Sequence, residues 1–204
     1  MLYHIIKAIL IPFLYILFFP KITGRDNLPK EGSVIIYSNH TSFLDPILLG
    51  CMLPRRIYFM AKQELFRSYP LCVLLTALGA FPVKRGKADL SAIKKALQTL
   101  KEGKVFGIFP EGTRSKTGDL NDFNHGTAAI AHKSRAATIP VIIIGDYKLF
   151  RPVHIVIGKP INLDKYYDKK PSSEILSEIS ELMSERLKLL ASDKMESRKK
   201  FSRK

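Results

Sequence analysis

An α/β fold with a mainly parallel sheet flanked by helices, preceded by an N-terminal membrane-associated helical segment, is what this sequence predicts. Three observations carry that expectation. Short apolar runs rich in β-branched residues alternate with stretches of helical periodicity. The apolar runs are continuous rather than alternating, as in strands buried on both faces. Two of them empty into turns that hold polar, chemically capable side chains, and α/β sheets bind ligands at the carboxyl ends of their strands. Strands are expected at 33–38, 56–61, 104–109, 139–144 and 153–158. A helix over 89–102 has Asp89 as its N-cap, Leu90, Ile93, Leu97 and Leu100 on one face, and Gly103 as its stop. Gly126 to Ala137 reads as a small-residue helix before the strand that Pro140 opens. A last helix covers 174–191, after the Pro171-Ser172-Ser173 turn, with Ile175, Ile179, Leu182 and Leu189 among its apolar positions. That stripe reads as core packing rather than a partner-binding face.

The division into regions follows from composition. Residues 1–23 form an apolar membrane-interacting segment, 24–191 one domain, and 192–204 a basic, disordered tail. A chain of 204 residues allows a single domain with a real core. Lys and Arg total 33 against 18 acidic residues, a formal net charge of +15, which points to a polyanionic partner. The sequence holds no zinc-finger spacing, aromatic RNA-binding signature or basic zipper, so nucleic acid is not expected. Cys51 and Cys72 match no metal or redox spacing and read as buried thiols of a reducing compartment.

The N-terminus favours a membrane instead. Residues 8–19 hold no charge, but a comfortable span takes about 20 apolar residues. Phe18-Phe19-Pro20 offers no small-residue cleavage site, which argues against a removed signal peptide. The expectation is an uncleaved helix that dips into one leaflet. Lys21 and Arg25 after it would hold the rest on the cytoplasmic face of the inner or plasma membrane. Lys194, Arg198, Lys199, Lys200, Arg203 and Lys204 would add attraction to an anionic phospholipid surface.

Residues 39–45 read Asn-His-Thr-Ser-Phe-Leu-Asp, between the Val34–Tyr37 apolar run and Pro46, a residue suited to a first helical turn. His40 therefore falls at a strand-to-helix turn, five residues before Asp45. This spacing can set an imidazole beside a carboxylate that orients it, making a general base for an alcohol. Helix-start N–H groups nearby would oppose protonation of the ring. A polar strand end with a capping Asp is the alternative for this segment taken alone. Residues 105–115 repeat the design, with a strand entering Pro110-Glu111-Gly112. Gly112 permits an unusual backbone conformation and close approach of a ligand, and Arg114 is a charged fork suited to a phosphate. Gly79 to Arg85 adds Lys84 and Arg85 after a turn.

In these blocks, His40 to Asp45, Gly79 to Arg85, Phe109 to Ser115 and Ile139 to Val141, the chain resembles the glycerolipid acyltransferases of the lysophosphatidate acyltransferase type. Block order and spread agree across residues 24–160, and the first and third blocks are the specific ones. The resemblance implies His40 as base and Asp45 as its orienting partner. It implies Arg85 and Arg114 as phosphate ligands, with Glu111, Gly112 and Thr113 completing the acceptor site. The reaction implied is transfer from an acyl thioester, acyl-CoA or acyl carrier protein, to the sn-2 hydroxyl of a lysophospholipid. No cofactor and no metal are expected, and His125, His132 and His154 form no metal set. Many members carry a Lys before the Gly of the stretch that here reads Phe123-Asn124-His125-Gly126, which leaves another lyso-lipid acceptor, such as a lyso-aminolipid, open. A non-catalytic basic membrane-binding protein would explain the charge but not the polar residues gathered at strand ends. The apolar stretches Leu71 to Ala80 and Pro46 to Leu53 are candidate walls of an acyl groove or, equally, core helices.

Overall fold

The computed structural model describes residues 2–84, 89–114, 123 and 125–201, with side chains to Asp193. In chain order the elements are α1 (Leu2–Phe18), β1 (Lys21–Thr23), β2 (Val34–Ser38), α2 (Asp45–Met52), β3 (Ile57–Lys62), α3 (Tyr69–Ala77) and β4 (Ala80–Val83). There follow α4 (Leu90–Lys101), β5 (Val105–Ile108), α5 (His125–Ser134), β6 (Ala137–Ile144), β7 (His154–Ile157), α6 (Asp164–Tyr167) and α7 (Ser173–Phe201).

The strands form one seven-stranded sheet in the order β1-β7-β6-β2-β5-β3-β4. All pairs are parallel except β6 with β7. β2 lies at the centre and is buried at every position, which its unbroken apolar run required. Strand side chains point alternately to opposite faces, so β2 feeds two cores. Val34 and Ile36 join Leu48 and Leu49 of α2 and Leu14 and Phe18 of α1 on one side. Ile35 and Tyr37 meet Ala96 and Leu100 of α4, Ile130 of α5, and Ile179, Met183 and Leu187 of α7 on the other.

The five expected strands are present, with ends shifted by one or two residues. β1 and β4 were not expected as strands. Both lie at the sheet's edges and are very short, so they exist by pairing with β7 and β3 rather than by any signal of their own. β1 falls inside the segment read as apolar and membrane-interacting, so that segment ends within the sheet. The α5 helix stops at Ser134 rather than 137, because Arg135 takes a left-handed conformation (φ 51°) and β6 begins at Ala137. The last helix runs past its expected end at 191. The α7 backbone is helical to Phe201, through a Lys-, Glu- and Arg-rich stretch of good helix formers without Gly or Pro. α4 has the expected ends: the Asp89 side chain accepts from the N–H groups of Ser91 and Ala92, and Gly103 (φ 69°) donates to Leu100 O, but of its expected face Leu90 is exposed and the buried positions are Ala92, Ala96, Thr99 and Leu100.

α1 buries Leu14 and Phe18 in the core it shares with α2 and β2, and Tyr3 against α2, yet leaves Leu2, Ile5, Ile9, Phe13 and Ile16 exposed. Among the described residues no helix is long and apolar enough to cross a membrane. Of the two candidate groove walls, Pro46 to Leu53 is core, since Leu48, Leu49, Cys51, Met52 and Leu53 are all buried. α3 is mostly half-exposed. Its Cys72, Val73, Thr76 and Ala77, with Leu2, Tyr3 and Arg56, line a cleft of about 470 Å³. Cys72 is therefore only partly buried, unlike Cys51.

Candidate active site

Three neighbouring strands, β6, β2 and β5, deliver the polar turns to one end of the sheet. The turn after β2 carries His40, the turn after β5 carries Glu111 to Arg114, and the loop 145–153 after β6 carries Tyr147. Because β6 and β7 are antiparallel, a short loop suffices to join them, where a parallel pair needs a long crossover. Asn39 clamps the first turn to β6. Its side-chain amide donates to Ile143 O (2.9 Å) and accepts from Ile143 N–H (2.8 Å), continuing the β2–β6 pairing by one side chain.

His40 Nδ1 lies 2.8 Å from Asp45 Oδ2. The same oxygen accepts the backbone N–H groups of Thr41 and Ser42, each at 2.7 Å. An oxygen so placed acts as an acceptor, so Nδ1 carries a ring proton and, in the neutral ring, Nε2 is the nitrogen with the lone pair. The N–H groups expected to act on the ring instead hold the carboxylate. Asp45 is fully buried and His40 is 8% exposed. The other oxygen, Asp45 Oδ1, accepts from the Tyr147 hydroxyl at 2.6 Å. Burial, then the neighbouring Asp45 carboxylate, push the Tyr147 hydroxyl well above the ordinary phenol range, so it stays a donor.

The imidazole also has a platform. Its ring stacks on Phe109 at 4.1 Å, with 20° between the planes, and Phe109 stacks on Phe59 at 5.8 Å. Glu111 Oε1 accepts the His40 backbone N–H (3.3 Å), tying the third sequence block to the first. Gly112 adopts φ 69° and donates to Phe109 O (3.0 Å), closing the turn, and a Cβ there would meet nothing within 4 Å. Thr113 and Arg114 are exposed. The Arg114 guanidinium lies 3.6 Å from the centre of the Phe43 ring. Stacking uses the face of the guanidinium and leaves its in-plane N–H groups to bind an oxyanion.

Of the residues expected at the site, His40, Asp45, Glu111 and Arg114 are brought together by direct contacts between the two turns, and Gly112 and Thr113 belong to the same turn as Arg114. Arg85 lies outside the described residues, as does Asn124. The Ser42 hydroxyl, two residues after His40, accepts the Leu44 N–H (3.2 Å). Among the described residues no group of three or more His, Cys, Asp or Glu could hold a metal ion. His132 is a structural residue, its Nε2 bonded to the Tyr166 (2.9 Å) and Lys169 (3.1 Å) carbonyls. Sequence reasoning missed Tyr147, and it named Asn39, Phe43 and Phe109 without giving them roles. The rule that polar residues just past strand ends build sites would have reached Tyr147, three residues beyond β6.

A histidine paired with a buried carboxylate and an exposed arginine beside it stand at the carboxyl ends of parallel strands, and comparison with known proteins gives the family. Residues 20–144 match the acyltransferase family model, more than half of the chain, and the chain belongs to that family. It is 34% identical over 176 residues to the 1-acyl-sn-glycerol-3-phosphate acyltransferase of Bacillus subtilis, covering 83% of this chain and 87% of that one. With the chloroplastic enzyme of the same name from Arabidopsis thaliana, LPAT1, identity is 32% over 157 residues, or 71% of this chain and 44% of the plant protein. The crystal structure of the 1-acyl-sn-glycerophosphate acyltransferase PlsC from Thermotoga maritima superposes with a TM-score of 0.70 at 26% identity, covering 93% of this chain and 79% of that one.

Proposed function

We propose that the chain transfers a fatty acyl group from an acyl thioester to the sn-2 hydroxyl of lysophosphatidate, giving phosphatidate for phospholipid biosynthesis. The observation that carries the reading is the His40 ring, with Nδ1 tied to a buried carboxylate and Arg114 in contact with the same turn. The names of the relatives supply the reaction class.

The steps follow from the chemistry of these groups. Arg114 and Arg85 hold the acceptor phosphate and bring the free hydroxyl to His40 Nε2. The ring takes the hydroxyl proton as the oxygen attacks the thioester carbonyl, and Asp45 stabilises the imidazolium that forms. The tetrahedral intermediate collapses, the C–S bond breaks, and the proton on His40 passes to the departing thiolate. One ester forms and one free thiol is released. The thioester already carries an activated acyl group, so this reading needs no cofactor. Glu111 holds the His40 backbone in place, and Gly112 and Thr113 border the phosphate site. The acyl donor is CoA or an acyl carrier protein, both acidic partners for a chain of net charge +15. The outer face of α1 rests in one leaflet at the cytoplasmic surface of an anionic membrane, with the sheet domain outside it. A second acceptor class, other lyso-lipids, is kept open by the Asn124-His125 pair, which stands where the family resemblance implies a Lys.

The test is phosphatidate formation by detergent-purified protein given lysophosphatidate and either donor, with His40→Ala beside it. Wild type should make phosphatidate, and the folded variant should be slower by roughly 100- to 10,000-fold. Full activity in a folded His40→Ala protein sinks the mechanism. Product only from another lyso-lipid moves the acceptor and keeps the base.

A further inference from the structure

We propose that Tyr147 is a positioning residue for the catalytic pair, the third member of a chain Tyr147–Asp45–His40. The proposal rests on the reading of His40 as the base. Four observations place it. The Tyr147 hydroxyl donates to Asp45 Oδ1 at 2.6 Å, while Oδ2 is occupied by His40 and two backbone N–H groups. Asp45 is fully buried, and a buried carboxylate oxygen without a donor is unstable. Tyr147 holds φ at 51°, a left-handed conformation uncommon for a bulky residue and kept only where the surroundings impose it. Those surroundings are visible. The Tyr147 ring meets Phe18 edge-on at 5.5 Å, and the same loop is bonded to the end of α1 through Phe150 N–H to Leu17 O (2.7 Å) and Val153 N–H to Phe18 O (2.9 Å).

Tyr147 does two things through Asp45. It fixes the plane of the carboxylate, and so the direction in which His40 Nε2 points. It also draws negative charge out of Asp45, which limits how tightly the carboxylate holds a proton on the ring. Among the described residues one ionisable group besides Tyr147 is bonded to this pair: Glu111, which accepts the His40 backbone N–H. Removing the Tyr147 hydroxyl concentrates charge on Asp45 and stabilises the imidazolium, so a higher pH is then needed to free the base. Because Tyr147 packs on Phe18, the apolar helix α1 is in direct contact with the chain of groups that orients the base.

The experiment compares wild type, His40→Ala and Tyr147→Phe in the phosphatidate assay across pH, with a thermal unfolding curve for each. Phenylalanine keeps the ring and its packing, so Tyr147→Phe should fold. Its kcat should fall roughly 10- to 100-fold, the range for groups that orient a reacting ligand. Its KM for lysophosphatidate should stay within about 2-fold, and the acid limb of its kcat/KM profile should move to higher pH. A folded Tyr147→Phe protein with wild-type kcat and pH profile overturns the proposal, and so does a lower kcat with an unmoved acid limb, which marks a purely structural role. Failure of wild type itself to make phosphatidate instead strikes the reading of the reaction.

Discussion

A Cβ placed on Gly107 would fall 2.3 Å from Phe59 Cε1 and 2.7 Å from Ile57 Cγ2. The Phe59 ring therefore lies where any larger residue in β5 would put its side chain. Phe59 supports Phe109, and Phe109 supports the His40 ring, so a missing side chain in β5 sets the floor of the site. Gly107→Ala should displace the buried Phe59 ring, an overpacking that costs about 1–3 kcal/mol. Thermal unfolding should show that loss, and kcat should fall while KM changes little, because the ring platform tilts while the Arg114 turn stays. Wild-type melting and kcat in this variant would mean the aromatic stack moves without consequence. At this scale the sequence is readable only over short distances. His40 and Asp45 are five positions apart, and their pairing follows from one strand-to-helix turn. Tyr147 is 102 positions beyond Asp45, and the Ile143 that Asn39 clamps is 104 beyond it. No local spacing encodes those partners; strand order does. Gly107 gives the faintest signal, a lone glycine in an apolar strand that marks a close approach without naming what approaches.

Elements with their own stop and start chemistry were legible, and elements made by their partners were not. α4 is the clearest legible case, because Asp89 caps it and Gly103 ends it. β1 and β4 are short edge strands whose pairing decides them, and the direction of β7 depends on the length of the loop before it. The cap allows a prediction. Asp89 accepts from Lys84 N–H, the Ser91 hydroxyl and N–H, and Ala92 N–H, and these bonds, Lys84's first, hold its carboxyl at about 2 against an ordinary 3.8. A depressed folded-state value means the stabilisation is present above 3.8 and is lost as pH falls through about 2. Asp89→Ala should therefore melt lower than wild type at neutral pH, and the gap should narrow below pH 3.8 and close near 2. Melting temperatures of both proteins across that range check it. A gap that stays constant with pH would mean the cap acts through shape rather than charge.

The whole molecule joins two features that either turn alone would not reveal. Exposed apolar side chains stand on two of the loops that build the site: Phe43 (64% exposed) in the first turn, and Leu149 (61%) and Phe150 (64%) in the loop that carries Tyr147. That loop is bonded to the end of α1, where Phe13 and Ile16, and Phe19 just past the helix, are also exposed. The second feature is the net charge of +15. An apolar rim drives insertion into a leaflet independently of salt, whereas attraction between basic side chains and anionic head groups is screened over a Debye length of about 10 Å at 0.1 M and about 3 Å at 1 M. Binding to vesicles should therefore have two separable parts. On vesicles with anionic lipid, cosedimentation should weaken as salt rises from about 0.1 to 1 M and level off at the value measured on purely zwitterionic vesicles. Phe150→Asp should lower that salt-resistant level while leaving the salt-sensitive part in place. Binding that vanished entirely at high salt would mean the apolar rim does not enter the bilayer. The site would then have to draw its lipid acceptor from the surface by charge alone.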